Sequence, residues 1–361
     1  MAQGSLSLHH SSMNLHVLCA LYEPSNPSEE HRAIHTRIQE IQPVTRVRQE
    51  LLITWRLLYA NAREGLVLPV IGMLARFLPT PDLLNTTPWL QLSFVLLKTV
   101  FLFICHLYVF EIVNQVTSVE EDKVNKPHRP IPSGLLTVAG GHKRWWISWI
   151  VCPLLAYYLA GSQAGYLFIW YQLWTFYCYV WPKFNHFMYR NAFASVGTYN
   201  MFRLIDEIIY SEVPSFPLPP TSFYLVLSAW VMLTVHMQEF HDSEGDKKTN
   251  RLTLPIIVGP AWQGTLRWTT AFLVIGTGMI PLVITSKLSW DGRDKDFFDN
   301  AWIYNGTVIT AVLHLSFAIL TGLRCALSGG KEAYDRKTYK RFYMLAAYTM
   351  VCYLSFAYST V

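Results

Sequence analysis

The chain has 361 residues, of which 52% are hydrophobic and 15% are charged, and its formal net charge is +5. Soluble globular domains usually carry roughly 25% charged residues, so the composition argues against a soluble protein and indicates a helical membrane protein. The net charge is small and unevenly spread, so we interpret it as a signal of membrane topology and expect no nucleic-acid partner.

The N-terminal segment, residues 1–64, is polar or amphipathic and is expected to be cytosolic. Its basic part could lie as a helix on the membrane surface, or it could form a solvated helical arm that packs on the rest of the protein. The apolar stretch Leu15–Leu21 is too short for a signal peptide, so insertion is expected to depend on the first true span. We therefore expect two regions, 1–64 and a transmembrane domain over 65–361.

The remainder of the chain contains nine apolar stretches. A helix needs roughly 20 residues to cross a membrane, and a lipid-exposed chain must be helical or form a closed barrel. These stretches are too long for barrel strands, so we predict a single all-α integral membrane domain of about nine spans. The stretches lie near residues 65–82, 90–113, 145–161, 164–181, 191–209, 221–238, 265–286, 300–322 and 341–359.

Basic residues accumulate in the loops after the even-numbered stretches, and such loops usually face the cytosol. The loops GSQAG and SEVPSFPLPPTS, after the third and fifth stretches, have no lysine or arginine, whereas Lys287, Arg293 and Lys295 after the seventh break the trend. We expect a multi-pass protein of the endoplasmic reticulum with the even-numbered loops in the cytosol. The basic residues of those loops are Lys123, Lys126, Arg129, Lys143, Arg144, Lys183, Arg190, Lys247, Lys248, Arg251, Arg324, Lys331, Arg336, Lys337, Lys340 and Arg341.

Oxygen-bearing side chains follow the second apolar stretch. Asn114, Ser118 and Asp122 are spaced four residues apart, so a continuous helix would place them on one face. An amide, a hydroxyl and a carboxylate form an all-oxygen set that suits a hard cation such as Mg²⁺. Glu120 and Glu121 add negative charge nearby.

A second acidic cluster follows the sixth stretch. Glu239, Asp242 and Asp246 are spaced by three and four residues, which predicts one face of another helix. In both clusters lysines and arginines come directly after the acids, and carboxylates holding Mg²⁺ beside such cations would form a pocket for a diphosphate. The alternative is that both clusters are ordinary helix-terminal charges in wet interfacial loops.

The polar stretch NQVTSVEEDKVNKPHRP, which begins at Asn114, resembles the first signature of the UbiA superfamily of intramembrane prenyltransferases. In that family an Asn-Asp-x-x-Asp-x-x-x-Asp stripe precedes Asn-Lys-Pro-x-Arg-Pro. EFHDSEGDKKTNRLTLP, which begins at Glu239, is similar to the second signature. The resemblance covers about 65–361 and implies a bundle of about nine transmembrane helices whose central cavity opens toward the cytosolic side.

The chain departs from the first signature at two positions, where Gln115 and Ser118 stand in place of aspartates. The remaining Asn-x-x-x-Ser-x-x-x-Asp resembles the metal triad of soluble class I terpene cyclases. It also resembles the fungal, bergamotene-forming branch of the superfamily from fumagillin-type pathways. The resemblance therefore implies a Mg²⁺-dependent sesquiterpene cyclase that ionises farnesyl diphosphate and releases diphosphate. If serine is only a tolerated replacement, the alternative is a prenyltransferase that joins a prenyl diphosphate to an aromatic or other acceptor.

Both readings assign roles to the same residues. The resemblance implies that the Mg²⁺ ligands, and with them the catalytic set, are Asn114, Ser118, Asp122, Glu239, Asp242 and Asp246. The candidates for contacts with diphosphate oxygens are Lys126, Arg129, Lys183, Lys247 and Arg251. Aromatic residues of the fourth stretch are candidates for stabilising a carbocation, although aromatics are also common in bundle cores and at membrane interfaces. They are Trp170, Tyr171, Trp174, Phe176, Tyr177, Tyr179 and Trp181.

Several ionisable residues fall within the apolar stretches, where burial is costly and function is the default hypothesis. For two of them, Lys98 and His106, snorkelling or mutual pairing is an equally good reading, so they are left out of the site. The other four are Glu111, Arg203, Asp206 and Glu207. A transporter or scaffold remains as a non-enzymatic alternative, but transporters usually place such groups near mid-membrane, and here the main clusters lie at helix ends.

Overall fold

A computed structural model describes residues 46–183, 185–248, 250–290 and 301–359. The described residues do not include the predicted amphipathic segment up to residue 45. They also do not include Arg293 and Lys295, two of the basic residues that break the predicted charge trend of the loops. The chain forms two compact units, 1–52 and 53–361. Of the first unit, residues 46–52 are described and are helical. The predicted division after residue 64 stays a prediction.

All regular secondary structure in the described residues is helical, which confirms the predicted all-α class; one isolated bridge pairs His186 with Leu252. Short 3₁₀ and π segments lie between or at the ends of the helices. The helices are α1 (Arg46–Asn61), α2 (Arg63–Phe77), α3 (Pro81–Thr86), α4 (Trp89–Thr117), α5 (Val119–Asn125), α6 (Val138–Ala160), α7 (Ser162–Tyr179), α8 (Phe187–Glu212), α9 (Thr221–Thr234), α10 (Ser243–Lys248), α11 (Leu254–Val258), α12 (Gln263–Trp290), α13 (Ala301–Ala326), α14 (Glu332–Lys337) and α15 (Met344–Ala357).

Local sequence signals explain where α6 begins and ends. The hydroxyl of Thr137 accepts a hydrogen bond from the Gly140 amide at 3.0 Å, which caps the first turn. The helix ends at Gly161, whose φ of 90° lies in the region that favours glycine. Because α7 begins at the next residue, the loop predicted over GSQAG is reduced to one residue that turns the chain back on itself.

The long helices of the larger unit form a closed ring. Around it the order of contacts is α2, α4, α6, α7, α8, α9, α12, α13 and α15, and α15 packs back against α2. The loops after α4, α7, α9 and α13 meet at one end of this ring. Lys183 donates to the Thr117 carbonyl at 2.6 Å, and Arg251 lies 2.6 Å from Glu121. Helix α14, which follows α13, packs against the 3₁₀ segment Val235–Phe240 that follows α9. The acidic clusters are therefore carried by neighbouring loops.

Three described helices are long and apolar enough to cross a membrane, namely Trp89–Thr117, Pro260–Val283 and Ala301–Ala326. A fourth is added if the bent pair α1 and α2 counts as one span. Each of the nine predicted stretches coincides with a helix, but the number of membrane spans stays a prediction.

The ionisable residues within the helices are mostly paired. Lys98 forms an ion pair with Glu212 and not with His106. Arg76 lies 2.9 Å from Asp206, whose second oxygen accepts from the Tyr224 hydroxyl at 2.6 Å. Arg203 lies 3.2 Å from Glu207. These pairs account for Lys98, Arg203, Asp206 and Glu207 as structural ion pairs, because a buried charge needs a partner.

Candidate active site

The first predicted cluster surrounds a break in the helix. The sequence predicts one continuous face for Asn114, Ser118 and Asp122, but α4 ends at Thr117 and α5 begins at Val119. Ser118 between them has φ −128° and ψ 34°, which is outside the helical region. The predicted single stripe is therefore wrong. The Ser118 hydroxyl is buried and has no hydrogen-bond partner among the described residues.

We call the cluster of Asn114, Ser118 and Asp122 the first wall of the site, and the cluster of Glu239, Asp242 and Asp246 the second wall. A buried ion-pair network supports the first wall. Arg129 is fully buried; its Nη1 donates to Asp122 Oδ2 at 2.8 Å and its Nη2 donates to Glu111 Oε2 at 2.9 Å. The other oxygen of Glu111 accepts from Asn61 Nδ2. Arg129 was predicted to contact phosphate oxygens, but both of its terminal nitrogens are directed at carboxylates. The network fixes Asp122, because a buried carboxylate that loses its cation is strongly disfavoured.

The second predicted cluster is also not a single helical face. Glu239 lies in a 3₁₀ segment, Val235–Phe240, that continues α9; Asp242 lies in the turn that follows, and Asp246 lies in α10. The Oε2 of Glu239 accepts a hydrogen bond from the Leu254 amide at 2.9 Å, which ties it to the chain that follows. Its Oε1 is buried without a hydrogen-bond partner in the described chain.

Cations join the two walls. Arg251 Nη1 lies 2.6 Å from Glu121 beside the first wall and 3.5 Å from Asp246 in the second. Arg190, at the start of α8, lies 3.6 Å from Asp246 Oδ2. Helix α5, which carries Asp122, packs against α10. The two clusters therefore lie together at one end of the ring, as the diphosphate hypothesis requires.

The direction of the pKa shift differs among the three acids of the second wall. Burial raises the pKa of Glu239 to about 7, although Arg190 and the Leu254 amide act against this rise. Burial also raises the pKa of Asp246, against the effect of Arg190 and Arg251. For Asp242, burial acts upward, but His241, Lys126 and Arg190 outweigh it and hold the pKa below its usual value. Asp242 is thus the acid of this wall that stays charged most readily.

The remaining predicted phosphate contacts fall into two groups. Lys126 interacts electrostatically with an acid of each wall: burial and Arg129 lower its pKa, whereas Asp242 and Asp122 act in the opposite direction. Lys183 lies at the rim, with φ 56°, and donates to the Thr117 carbonyl. Lys247 is exposed, and no described ion pair ties it to either wall.

The chemistry of the donor set fits Mg²⁺. The described residues contain no group of three or more His, Cys, Asp or Glu side chains arranged to hold a metal by themselves. Mg²⁺ is commonly held by one or two carboxylates together with waters and substrate phosphates. The orphaned oxygens of Ser118 and Glu239, and the carboxylates of Asp122 and Asp242, which both raise the pKa of Lys126, match that mode of binding.

A cavity of about 200 Å³ extends from the acidic end into the ring. Arg190, Gln238 and Glu239 line it at that end. Along α8 its wall runs from Arg190 to Met201, which corresponds to about 16 Å of helix rise. Most of its wall is apolar or aromatic, so the cavity joins a charged mouth to an interior suited to a hydrocarbon chain.

Two π-helical turns form part of the cavity wall. Glu64 and Gly65 line the cavity at the turn Arg63–Val67, next to Asn61, and Tyr339 and Tyr343 line it at the turn Thr338–Tyr343. The turns are held to each other because Lys340 lies 2.8 Å from Glu64, and Arg63 donates to the Lys340 carbonyl at 2.8 Å. A Cβ at Gly65 would lie 2.6 Å from the nearest side-chain atom of Leu107, so a larger residue here would require the Leu107 side chain of α4 to move.

The aromatic residues predicted to face a carbocation include some that line the cavity and others that are exposed on the outside of the helices. Of the seven in the fourth stretch, Tyr171 and Tyr179 line the cavity, whereas Trp170 and Trp181 are exposed. Other rings of the cavity come from separate helices: Phe110, Phe193, Trp230 and Tyr343. Local sequence density of aromatics was thus a weak guide to which rings face the interior.

Two site residues were not predicted from the sequence, and a third was predicted only as a candidate without a specific role. Arg190 was counted only as a topology signal, yet it contacts Asp246 and lines the cavity. Asn61, placed in the N-terminal segment, lines the cavity and contacts Glu111. Glu111 was a candidate by burial alone and is the partner of Arg129. For Glu111 the signal in the sequence was a charged residue in an otherwise apolar helix. The sequence did not indicate that Arg129 would be its partner.

The sequence is similar to those of two curated proteins. A polyprenyl transferase, eriF, from Hericium erinaceus is 31% identical over 199 residues, 55% of this chain and 61% of the relative. The diterpene cyclase eriG from the same organism is 34% identical over 155 residues, 43% of this chain and 49% of the relative. The chain thus spans about half to three fifths of the length of these curated relatives.

A solved structure from a study of digeranylgeranylglyceryl phosphate synthase in membranes has the same fold. It matches with a TM-score of 0.53 at 17% identity, and the match covers 85% of this chain and 98% of that one. Residues 67–291 match the UbiA prenyltransferase family, which is more than half of the sequence and confirms the resemblance seen in the two signatures. The chain therefore belongs to the UbiA prenyltransferase family.

Proposed function

We propose that this protein is a Mg²⁺-dependent, membrane-bound terpene cyclase that ionises a prenyl diphosphate and closes the resulting cation into a cyclic hydrocarbon. The observation that carries the proposal is the joining of two acidic walls to an aromatic-lined cavity, with Glu239 and Arg190 shared by both. Farnesyl diphosphate is the favoured substrate, which rests on the resemblance to bergamotene-forming cyclases.

The charged mouth is suited to the diphosphate. Asn114, Ser118 and Asp122 on one side, with Glu239, Asp242 and Asp246 on the other, would hold Mg²⁺. When bound, Mg²⁺ neutralises the phosphate oxygens and makes diphosphate a better leaving group. Lys126, Arg190 and Arg251 then provide cationic donors to the same oxygens, and charge-assisted hydrogen bonds of this kind are among the strongest in proteins.

The cavity is suited to the hydrocarbon. An allylic cation is quenched by water, and an apolar interior excludes water without further devices. Tyr171, Phe193 and Trp230 line that interior, and each cation–π contact with such a ring would contribute about 0.5–2 kcal/mol. The chain length that fits, and the ring pattern formed, then depend on the shape of this wall.

The proposal includes a membrane orientation. A nine-span bundle in the endoplasmic reticulum, with the acidic mouth toward the cytosol, would let a prenyl diphosphate enter with its tail in the bundle. The excess of basic residues in the loops after α4, α7, α9 and α13 supports this orientation.

The alternative is transfer of the prenyl group to an aromatic or other acceptor. A relative named as a polyprenyl transferase favours it, whereas Ser118 in place of an aspartate and a relative named as a diterpene cyclase favour cyclisation. Both reactions share the same ionisation step, so the two differ only in what captures the cation.

One assay distinguishes a cyclase, a prenyltransferase and a non-enzymatic protein. Membranes containing the protein are incubated with Mg²⁺ and geranyl, farnesyl or geranylgeranyl diphosphate, without acceptor, and products are analysed by gas chromatography. A cyclic hydrocarbon that is lost on EDTA treatment supports the proposal, and the most productive substrate gives the chain length. Product only after an aromatic acceptor is added identifies a prenyltransferase. No Mg²⁺-dependent consumption of any diphosphate would point to a non-enzymatic role.

A further inference from the structure

The deep part of the cavity contains a histidine with a defined hydrogen-bond arrangement. His106 of α4 lines the cavity, and its Nε2 lies 3.2 Å from the Asn200 Oδ1. Asn200 Nδ2 donates to the Leu167 carbonyl at 2.8 Å, which fixes the direction of that amide. Asn200 Oδ1 can therefore only accept, so the network assigns the proton of the neutral imidazole to Nε2 and leaves a lone pair on Nδ1.

The ring of His106 is held in place by aromatic neighbours. It stacks on Tyr171 with centroids 3.7 Å apart and planes 15° apart, and it meets the edge of Phe168 at 5.6 Å. No hydrogen bond from a described residue reaches its Nδ1. A buried imidazole with one nitrogen bound and the other available is a prepared proton acceptor.

His106 lies far from the charged mouth. Asn200 follows Arg190 by ten residues on α8, which is about 15 Å of helix rise. On α4, His106 precedes Asn114 by eight residues, or about 12 Å. The group therefore lies where the distal part of a prenyl chain would be and not beside the departing diphosphate.

Building on the proposed function, we propose that His106 is the catalytic base that ends the reaction. A C–H bond next to the cationic carbon breaks, its electron pair forms a C=C bond, and the proton moves to His106 Nδ1. The imidazolium then returns this proton to water or to the released diphosphate when the hydrocarbon leaves. The atoms balance as prenyl diphosphate giving hydrocarbon and protonated diphosphate.

Other polar groups of the cavity are rival bases. Glu239 belongs to the mouth. One oxygen of Glu64 is paired with Lys340 at 2.8 Å, and its other oxygen is buried without a hydrogen-bond partner among the described residues. Tyr171 lies against His106 and is a weak base as a phenol. Glu64→Gln and Tyr171→Phe therefore serve as variants that report on the rival bases.

The test compares diphosphate release with hydrocarbon formation. Membranes with the wild-type protein or with His106→Phe are supplied with farnesyl diphosphate and Mg²⁺, and released diphosphate and extracted products are both quantified. We expect His106→Phe to release diphosphate within a few-fold of wild type. Hydrocarbon per diphosphate should fall by about 100-fold, the lower end of the effect of a general base, with alcohols appearing instead. His314→Gln removes another buried histidine, one that binds the Ala346 carbonyl and does not line the cavity, and it should leave the ratio unchanged.

A second pair of variants tests the arrangement without removing the imidazole. Asn200→Leu removes the acceptor that holds Nε2–H and should lower the ratio of hydrocarbon to diphosphate, whereas Asn200→Asp keeps an acceptor and should restore it. The proposal is overturned if His106→Phe gives the wild-type ratio and product, or if Glu64→Gln or Tyr171→Phe shifts the product while His106→Phe does not. If wild type releases no diphosphate without an acceptor, the proposed cyclase function itself is wrong.

Discussion

The two acidic walls at the mouth are built on different principles. The first has a single carboxylate among its predicted ligands, Asp122, and a buried arginine neutralises it through a network that reaches Glu111. The second keeps three carboxylates, and Arg190 of α8 and Arg251, five residues after Asp246, lie beside them. Arg251 also contacts Glu121 on the opposite side. A wall with its own internal cation is preformed. A wall that shares its cations with the opposite side can exchange them for a metal or a phosphate.

The largest expected effect is loss of a carboxylate from either wall. Asp122→Ala and Asp242→Ala should each lower turnover by at least about 100-fold, since losing even a supporting contact of a metal site costs 10–100-fold. Diphosphate release in membranes measures this. The matched control is Lys247→Gln, because Lys247 is exposed and outside both walls. Near-wild-type turnover in either alanine variant would remove that residue from the proposed metal site.

Loss of the internal cation should act on stability as well as on activity. Arg129→Met leaves Glu111 and Asp122 buried without their partner, and breaking such a buried pair costs about 3–5 kcal/mol. We expect a lower thermal unfolding midpoint in detergent, measured by intrinsic tryptophan fluorescence. A variant with unchanged midpoint but weaker substrate binding would instead support the phosphate contact that the sequence suggested.

Loss of the shared cation should be milder. Arg251→Gln removes the cation that contacts both Glu121 and Asp246, and a hydrogen bond to a charged group contributes about 1.5–3 kcal/mol. We expect KM for the prenyl diphosphate to rise by roughly tenfold, with a smaller change in kcat. Equal losses in both constants would mean that Arg251 does not act mainly in ground-state binding.

The smallest effect is expected at the position where the first wall lacks a charge. Ser118→Asp adds the acid found in the usual family signature, next to Asp122. We expect a change in turnover of only a few-fold, because a partly buried acid near an existing carboxylate tends to stay protonated. A gain of acceptor prenylation, assayed with an aromatic acceptor, would show that this serine separates the two reactions.

The long helices and the two acidic clusters were predictable, because apolar runs of about 20 residues and closely spaced acids are local signals. The local geometry of the clusters was not. Spacings of three and four imply one face only if the helix continues, and the chain leaves the helix at Ser118 and changes to a 3₁₀ segment at Val235. Partners distant in sequence, such as Glu111 for Arg129 and Asn200 for His106, depend on the packing of the ring.

The two π-helical turns in the cavity wall have a consequence for how the enzyme could diversify. A π turn contains one residue more than the α-helix needs, so deleting one residue there restores α geometry and leaves the flanking helices in register. Elsewhere in a helix the same deletion would rotate every later residue by about 100°. Arg63–Val67 and Thr338–Tyr343 are therefore places where a one-residue deletion would reshape the cavity wall and keep the flanking helices in register.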